Sequence, residues 1–245
     1  MKTATIHRMV MDKHICPWGL KALDLLRREG FTVDDRHLTT RDQTDAFKAE
    51  HDVKTTPQVF VDGQRIGGYD DLRRYLGKAV RDPKAVTYTP VIALFGMAAA
   101  MALAIGWTAE GAIVPILAFE RFIAVAMCLL AVQKLRDVDS FATMFLGYDL
   151  LAQRWVPYAR IYPFAEGLAG VLMLSGALTC LAIPVALFIG TVGAVSVFKA
   201  VYIDKRELKC ACVGGDSNVP LGFVSLTENV MMAAMALWML LKPMA

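Results

Sequence analysis

Charge of one sign is what this chain lacks most. Its 26 basic and 23 acidic residues leave a net charge of +3, so net charge points to no nucleic-acid partner. A secretory leader is also missing. "MKTATIHRMVM" has an early lysine but no apolar core of the required length, and it reads as a strand. The N-terminal part is therefore expected in the cytoplasm. No dinucleotide fingerprint, nucleotide-binding loop or haem-attachment motif occurs. Cysteine is scarce, with five in 245 residues (Cys16, Cys128, Cys180, Cys210 and Cys212). In a reducing compartment they suit redox chemistry or metal binding rather than structural disulfides.

Apolar residues are abundant instead, at 56% against about 45–50% in ordinary domains. They are unevenly spread. Residues 1–87 are as polar as a soluble domain, whereas 88–242 are mostly Ala, Leu, Val, Met, Phe and Gly. A bilayer core takes about 20 apolar residues as helix. Five stretches qualify, near 88–107, 112–133, 161–181, 183–203 and 221–241. The intervening 138–158 is amphipathic and reads as an interfacial or partly re-entrant helix broken by Pro157. Lys134, Arg136, Arg154 and Arg160 follow the second span, and Lys205, Arg206 and Lys209 follow the fourth. Arg73, Arg74, Lys78, Arg81 and Lys84 precede the first. "TAEG" and the turn near Pro184 carry no Lys or Arg, and only Lys242 falls on the far side. This bias predicts a multi-pass protein of a bacterial-type inner membrane, with its N-terminus and the Cys210–Cys212 loop in the cytoplasm and its C-terminus outside.

Ionisable residues within spans are costly and read as functional by default. Glu166, Lys199 and Glu228 lie some four to seven residues from the inner helix ends, roughly 6–10 Å deep at ~1.5 Å per residue. They form either one interhelical ion pair with snorkelling or a polar floor beneath the Cys210 loop. Glu120 and Arg121 lie deeper, with a mutual or interhelical pair as their role.

In the soluble half, alternation predicts strands at 3–11, 32–38, 58–61 and 64–67 and helices at 17–29, 42–51 and 70–80, with Asp62-Gly63 as a hairpin turn. This order is that of an α/β thioredoxin-like fold. "CPWG" falls at a strand-to-helix junction, where helix N–H groups and nearby Lys13 favour a thiolate at Cys16. Pro57 of "TTPQVFVDG" precedes a strand, where a cis peptide would set the Thr56 backbone against the thiol.

"CPWG", "TTPQVFVDGQRIGGYDDL" and Lys13 resemble glutaredoxin over residues 1–80. The resemblance implies glutathione as cofactor, Cys16 as nucleophile, and Lys13, Thr56, Pro57, Gly68, Asp70 and Asp71 as its binding residues. Thr56 would pair in a β-like manner with the glutathione backbone. Asp70 or Asp71 would meet the γ-glutamyl ammonium, and Lys13 a carboxylate. The second cysteine of dithiol members is replaced by Gly19, which implies a monothiol cycle resolved by glutathione or by a thiol elsewhere in the chain. The motif also differs from the "CGFS" type that holds iron–sulfur clusters.

"QKLRDVDSFATMFLGYDLL", "YPFAEGL" and the cysteine loop resemble the MauE branch of DoxX-like membrane proteins, four-helix proteins associated with redox or disulfide maturation. The expected organisation is a glutaredoxin-like domain over 1–81, a linker and connecting transmembrane helix over 82–111, and an all-α polytopic helix bundle over 112–245.

"LKCACVGGDSNVPLG" places Cys210 and Cys212 two residues apart, followed by turn residues. A disulfide at that spacing is tight, and strained disulfides are more oxidising. The pair suits an exchange partner for a tethered Cys16, whose effective concentration would be high. The expected activity is a glutathione-dependent thiol–disulfide oxidoreductase acting on a thiol protein or small disulfide. The alternative is Cu(I) or Hg(II) binding or transport by Cys210 and Cys212, with Met231, Met232 and Met235 nearby. A dithiol relay across the bilayer would need a pair on each face, and the outer face offers only Cys180. It would require a quinone, a partner protein or a homodimer, none of which has a sequence signature here.

Overall fold

Alternate residues of "TATIHRMVM" turn inward, and Ala4, Ile6 and Arg8 are buried along β1 (Thr3–Met11). The fold is seen in a computed structural model describing residues 2–80, 82, 85–211 and 219–242, divided into units Met1–Pro83 and Lys84–Ala245. In the first unit β1 runs parallel to β3 (Thr32–Leu38) and antiparallel to β4 (Gln58–Val61), which pairs antiparallel with β5 (Gln64–Gly67). A two-residue strand, β2 (His14–Ile15), folds back on the end of β1. Helices α1 (Pro17–Arg28), α2 (Arg41–Glu50) and α3 (Tyr69–Tyr75) complete the thioredoxin-like fold. Its core joins Ile6 and Val59 of the sheet to Ala22, Leu23 and Leu26 of α1 and Leu72 of α3.

Helix α3 is shorter than its pattern suggests. Gly77 takes a φ of 69°, its N–H bonds to the Arg74 carbonyl, and Lys78 N–H bonds to the Arg73 carbonyl. This paired closure is a Schellman motif, which stops the helix at a left-handed glycine.

The second unit is helical: α4 (Thr89–Glu110), α5 (Pro115–Leu135), α6 (Val138–Leu146), α7 (Pro157–Ser175), α8 (Thr179–Phe198) and α9 (Phe223–Leu241). A π-helical turn, Lys199–Ile203, extends α8. Among the described residues, four helices are long and apolar enough to cross a membrane: α4, α5, α8 with its π turn, and α9. Helix α7 is 19 residues long and more mixed in composition. Its apolar Ile161, Phe164, Leu168 and Val171 point outward, while Tyr158, Tyr162 and Glu166 are buried.

Two features depart from the expected boundaries. Pro157 opens α7 instead of only ending the preceding segment, because the first turn of a helix needs no donor there. The turn expected near Pro184 lies earlier, at Gly176–Leu178. Gly176 closes α7 with a φ of 65°, and Pro184 sits inside α8. Between α6 and α7, the fully buried Asp149 accepts N–H bonds from Leu151 and Ala152 at 3.0 and 2.8 Å.

Small residues set the helix contacts. A Cβ on Gly190 of α8 would come within 2.9 Å of the Asn229 carbonyl on α9, and one on Gly193 would collide with the Asn229 side chain. On α7, Gly167 faces Ala131, and Gly170 faces Cys128 and the Ala124 carbonyl of α5. Close backbone approach of this kind drives helix association where lipid removes the hydrophobic contrast.

Candidate functional site

Cys16 is the N-cap of α1, with extended backbone angles (φ −68°, ψ 114°) and Pro17 as the first helical residue. Its N–H bonds to the Met9 carbonyl at 3.1 Å, and its carbonyl accepts from Leu20 N–H, which ties the cysteine to both β1 and α1. The thiol is buried and lies 4.0 Å from the Thr56 carbonyl oxygen. The Thr56–Pro57 peptide is cis. Thr56 Oγ1 is buried without a hydrogen-bond partner among the described residues.

The second lobe of this site is the start of α3. Asp71 Oδ2 accepts the Gly68 N–H at 3.0 Å, and Asp71 Oδ1 accepts from Arg74 at 2.6 Å. Asp71 is therefore engaged in capping, whereas Asp70 stands exposed. Gly67, at φ 123°, lies so close to Asp71 that a Cβ would collide with the carboxylate. Lys13 is exposed in the β1–β2 turn. Trp18 and Tyr69, absent from the sequence-based site, pair with ring centroids 5.8 Å apart, and Lys21 lies over Trp18 at 4.6 Å.

Gly19 occupies the position of the missing second cysteine. A Cβ there would stand 2.7 Å from Cβ and 3.0 Å from Cδ of Arg8. Arg8 is itself held by two 2.8 Å bonds to Asp35 and a 3.1 Å contact with His37. Burial alone would push the Asp35 carboxyl up, but Arg8 and His37 together hold it below the usual carboxylate range.

In the helical unit, Cys210 is fully buried. Its N–H bonds to the Val219 carbonyl at 2.8 Å, Leu221 N–H bonds to the Leu208 carbonyl at 2.7 Å, and Lys209 bridges Pro220. These contacts pinch the two ends of the loop together. The Cys210 thiol lies 3.0 Å from Ser225 Oγ and packs with Val91, Leu94 and Leu130. Cys212 lies outside the described residues. Cys16, Cys128 and Cys180 are free thiols.

The polar cluster differs from the expected trio. Glu166 and Glu228 do meet, but on Lys134 and not on Lys199. Lys134 Nζ donates to both Glu166 oxygens at 2.8 and 2.7 Å and to Glu228 Oε1 at 2.8 Å. All three side chains are buried. Lys199 instead pairs with Asp204 at 2.6 Å, half-exposed, because the π turn carries it toward its own helix end. By sequence Lys134 reads as a loop residue. Its place in the last turn of an apolar helix is the only sign that it could point inward. Of the two roles expected for Glu120 and Arg121, the structure has the interhelical one and not the mutual pair. Arg121 bonds to Glu110 at 2.6 Å, and Glu120 bonds to Trp238 at 2.7 Å and Lys242 at 2.9 Å.

Among the described residues, no group of three or more His, Cys, Asp or Glu is arranged to hold a metal ion. Met232 and Met235 are buried in the helix core, and Met231 packs against it.

Residues 9–66 match the glutaredoxin family model, and residues 114–242 match that of methylamine utilisation protein MauE. A probable glutaredoxin of Synechocystis sp. is 34% identical over 70 residues, covering 28% of this chain and 80% of that protein. The hybrid peroxiredoxin hyPrx5 of Haemophilus influenzae is 35% identical over 66 residues, 27% of each chain, so this chain spans about a quarter of that relative. The crystal structure of glutaredoxin 1 from Francisella tularensis complexed with cacodylate aligns at a TM-score of 0.28 and 20% identity, over 31% of this chain and 94% of that one. The chain thus belongs to the MauE family of membrane proteins and carries a glutaredoxin domain at its N-terminus, fused to a multi-pass membrane bundle.

Proposed function

We propose that the protein is a glutathione-linked thiol–disulfide oxidoreductase whose glutaredoxin domain exchanges electrons with Cys210 and Cys212 of its membrane domain. The observation that carries this reading is the Cys16 thiol at the α1 N-terminus, 4.0 Å from the Thr56 carbonyl and flanked in sequence by exposed Lys13. The N-cap position sets the sulfur at the positive end of the α1 dipole.

Glutathione would sit along Thr56 and Pro57, where the unpartnered Thr56 Oγ1 and the backbone leading into β4 offer polar contacts. Its γ-glutamyl ammonium would meet Asp70, since Asp71 is already committed to the Gly68 N–H and Arg74. Gly68 allows close backbone approach, and Lys13 would meet a carboxylate. In the exchange, the Cys16 thiolate attacks a Cys210–Cys212 disulfide and a mixed disulfide forms as one loop thiolate leaves. Glutathione then displaces the loop from Cys16, and a second glutathione regenerates the Cys16 thiol with release of glutathione disulfide. The cycle is monothiol, because Gly19 and Arg8 leave no room for a second local thiol. Opening of the Leu208–Leu221 pinch must precede attack, since Cys210 is fully buried.

The membrane domain would span five times. The apolar outer stripe of α7, with its polar inner face against the bundle, supports α7 as a span beside the four more apolar helices. The Lys/Arg bias then puts the N-terminal domain and the Cys210 loop in the cytoplasm and the C-terminus outside.

The test is alkylation-trapped mass spectrometry of the full chain, titrated with oxidised and reduced glutathione, in wild type and Cys212→Ser. A Cys16–Cys210 adduct in Cys212→Ser is expected. Glutathione on Cys16 alone, with the loop thiols inert, would sink the reading and favour Cu(I) or Hg(II) on Cys210 and Cys212.

A further inference from the structure

Three helices aim buried charge at one point in the membrane domain. Lys134 from α5 reaches Glu166 of α7 and Glu228 of α9 within 2.8 Å. Among the described residues two carboxylates face one ammonium, so the cluster is one positive charge short of neutrality in a low-dielectric setting, and uptake of one proton would neutralise it. Glu228 Oε2 is buried and has no hydrogen-bond partner among the described residues, although Glu228 is only 7% exposed. A buried carboxylate oxygen left open is an acceptor in waiting.

The cluster is one helical turn from the Cys210 thiol by two routes. Ser225, 3.0 Å from that thiol, precedes Glu228 by three residues on the same face of α9. Leu130, which packs on Cys210, precedes Lys134 by four residues on α5. Other titratable groups facing the cluster are Tyr162, whose ring lies 5.5 Å from Lys134 Nζ, and Tyr158 and Cys128, which interact electrostatically with Glu166. Lys199 on the α8 extension is turned to Asp204.

We propose that Glu228, held by Lys134 and Glu166, accepts the proton of the Cys210 thiol through the Ser225 hydroxyl. The inference rests on the proposed role of Cys210 in thiol exchange. With glutathione disulfide as oxidant, the Cys210 S–H proton passes to Ser225 Oγ as the Ser225 proton passes to Glu228. The Cys210 thiolate attacks one glutathione sulfur, the S–S bond of glutathione disulfide breaks, and a Cys210–glutathione disulfide forms. The leaving glutathione thiolate takes up a proton from solvent. Cys210 is oxidised, and one glutathione is reduced. Lys134 and Glu166 are positioning residues that keep Glu228 ready to receive the proton.

The test follows glutathione-adduct formation at Cys210 by quenched mass spectrometry in the full chain carrying Cys212→Ser, with glutathione disulfide as the probe. Adding Glu228→Gln, or Ser225→Ala, is expected to slow the adduct at least about tenfold at neutral pH, the low end of general-base effects, with recovery at alkaline pH. A purely structural loss would not recover with pH. An unchanged rate and pH profile in both variants would overturn this inference while leaving the proposed function standing. A parent that forms no Cys210 adduct at any pH would overturn both. Should Glu228→Gln fail to fold, the infrared difference spectrum of the parent chain on reaction with glutathione disulfide decides. A carboxylic-acid C=O band that appears there and is absent in Cys210→Ser is expected, and its absence in the parent refutes the proton transfer.

Discussion

A single side chain, Arg8, fills the space beside Gly19 in the glutaredoxin domain. It is buried on the inward row of β1, where Ala4 and Ile6 are apolar, and it is locked by Asp35 and His37. Its methylenes fill the space a side chain at Gly19 would need. Gly19→Cys is therefore expected to destabilise the domain by about 1–3 kcal/mol, the cost of overpacking. On oxidation the introduced thiol should form no disulfide with Cys16, whereas the same change combined with Arg8→Ala should form one. Urea unfolding and thiol counting of the full chain check both outcomes. The same ion-pair network sets a pH response. Asp35 titrates lower folded than unfolded, so its contribution is present above about pH 4, the unfolded carboxylate value, and is lost as pH falls through the folded value. His7 is lowered chiefly by burial, with Arg36 and His51 adding to the effect. Its contribution is full above about pH 6.5 and declines as pH falls toward the folded value. Hydrogen exchange of β1 and β3 in the full chain, corrected for the intrinsic exchange rate, should therefore show more protection at pH 7 than at pH 5, and less again below pH 4. Flat protection across this range would contradict the assignment.

At the scale of the element, α8 shows how a membrane helix departs from a soluble one, and the proposed fifth span extends the comparison to α7. Helix α7 keeps its polar residues inside and its apolar stripe outside, so its average composition understates its fit to lipid. Prolines that would stop a soluble helix sit within both helices, Pro163 in α7 and Pro184 in α8, as membrane helices tolerate when neighbours re-satisfy the freed groups. The contact between α8 and α9 depends on Gly190 and Gly193, where neither position has room for a side chain against Asn229. Gly190→Leu is expected to separate the pair and cost about 1–3 kcal/mol or more, because both backbones must move. Unfolding in mixed detergent micelles would measure it. Wild-type stability in Gly190→Leu would mean the two helices slide freely.

For the whole molecule, the question is which side of the membrane each segment faces. With five spans, the N-terminal domain and the Cys210 loop share one side and a reporter placed after Lys242 emerges on the other. With α7 outside the bilayer, both ends share a side. A phosphatase that works only outside the cytoplasm, fused after Lys242, is expected to be active. Single cysteines introduced in place of Lys205 and Gly111, labelled in intact cells and in inverted vesicles, should react from opposite sides. An inactive fusion would rule out the five-span arrangement. Sidedness matters to the chemistry, because glutathione and Cys16 must reach the same face as Cys210 for the exchange to run.

Local pattern is enough for much of this. The alternation of β1, the Asp62-Gly63 turn and the cysteine before Pro17 each depend on neighbours a few residues away, so the strand and helix order of the soluble domain and the place of Cys16 can be read directly. Long apolar runs locate the membrane half for the same reason. The partners of buried charges cannot be read this way. Lys134 and Glu228 are 94 residues apart in the chain, and their meeting depends on how α5, α7 and α9 rotate about their axes. That rotation is set by glycine contacts and lipid-facing stripes, which is why sequence alone favours Lys199 where the packing selects Lys134. The choice of Asp71 as cap is local by contrast, since it turns on the backbone of Gly67 and Gly68 just before it in the chain. Sequence determined which chemistries were at hand, a helix-capping thiol, a paired-cysteine loop and intramembrane charge. The tertiary fold decided which of those groups touch, because contact between distant residues is a property of packing and not of order along the chain.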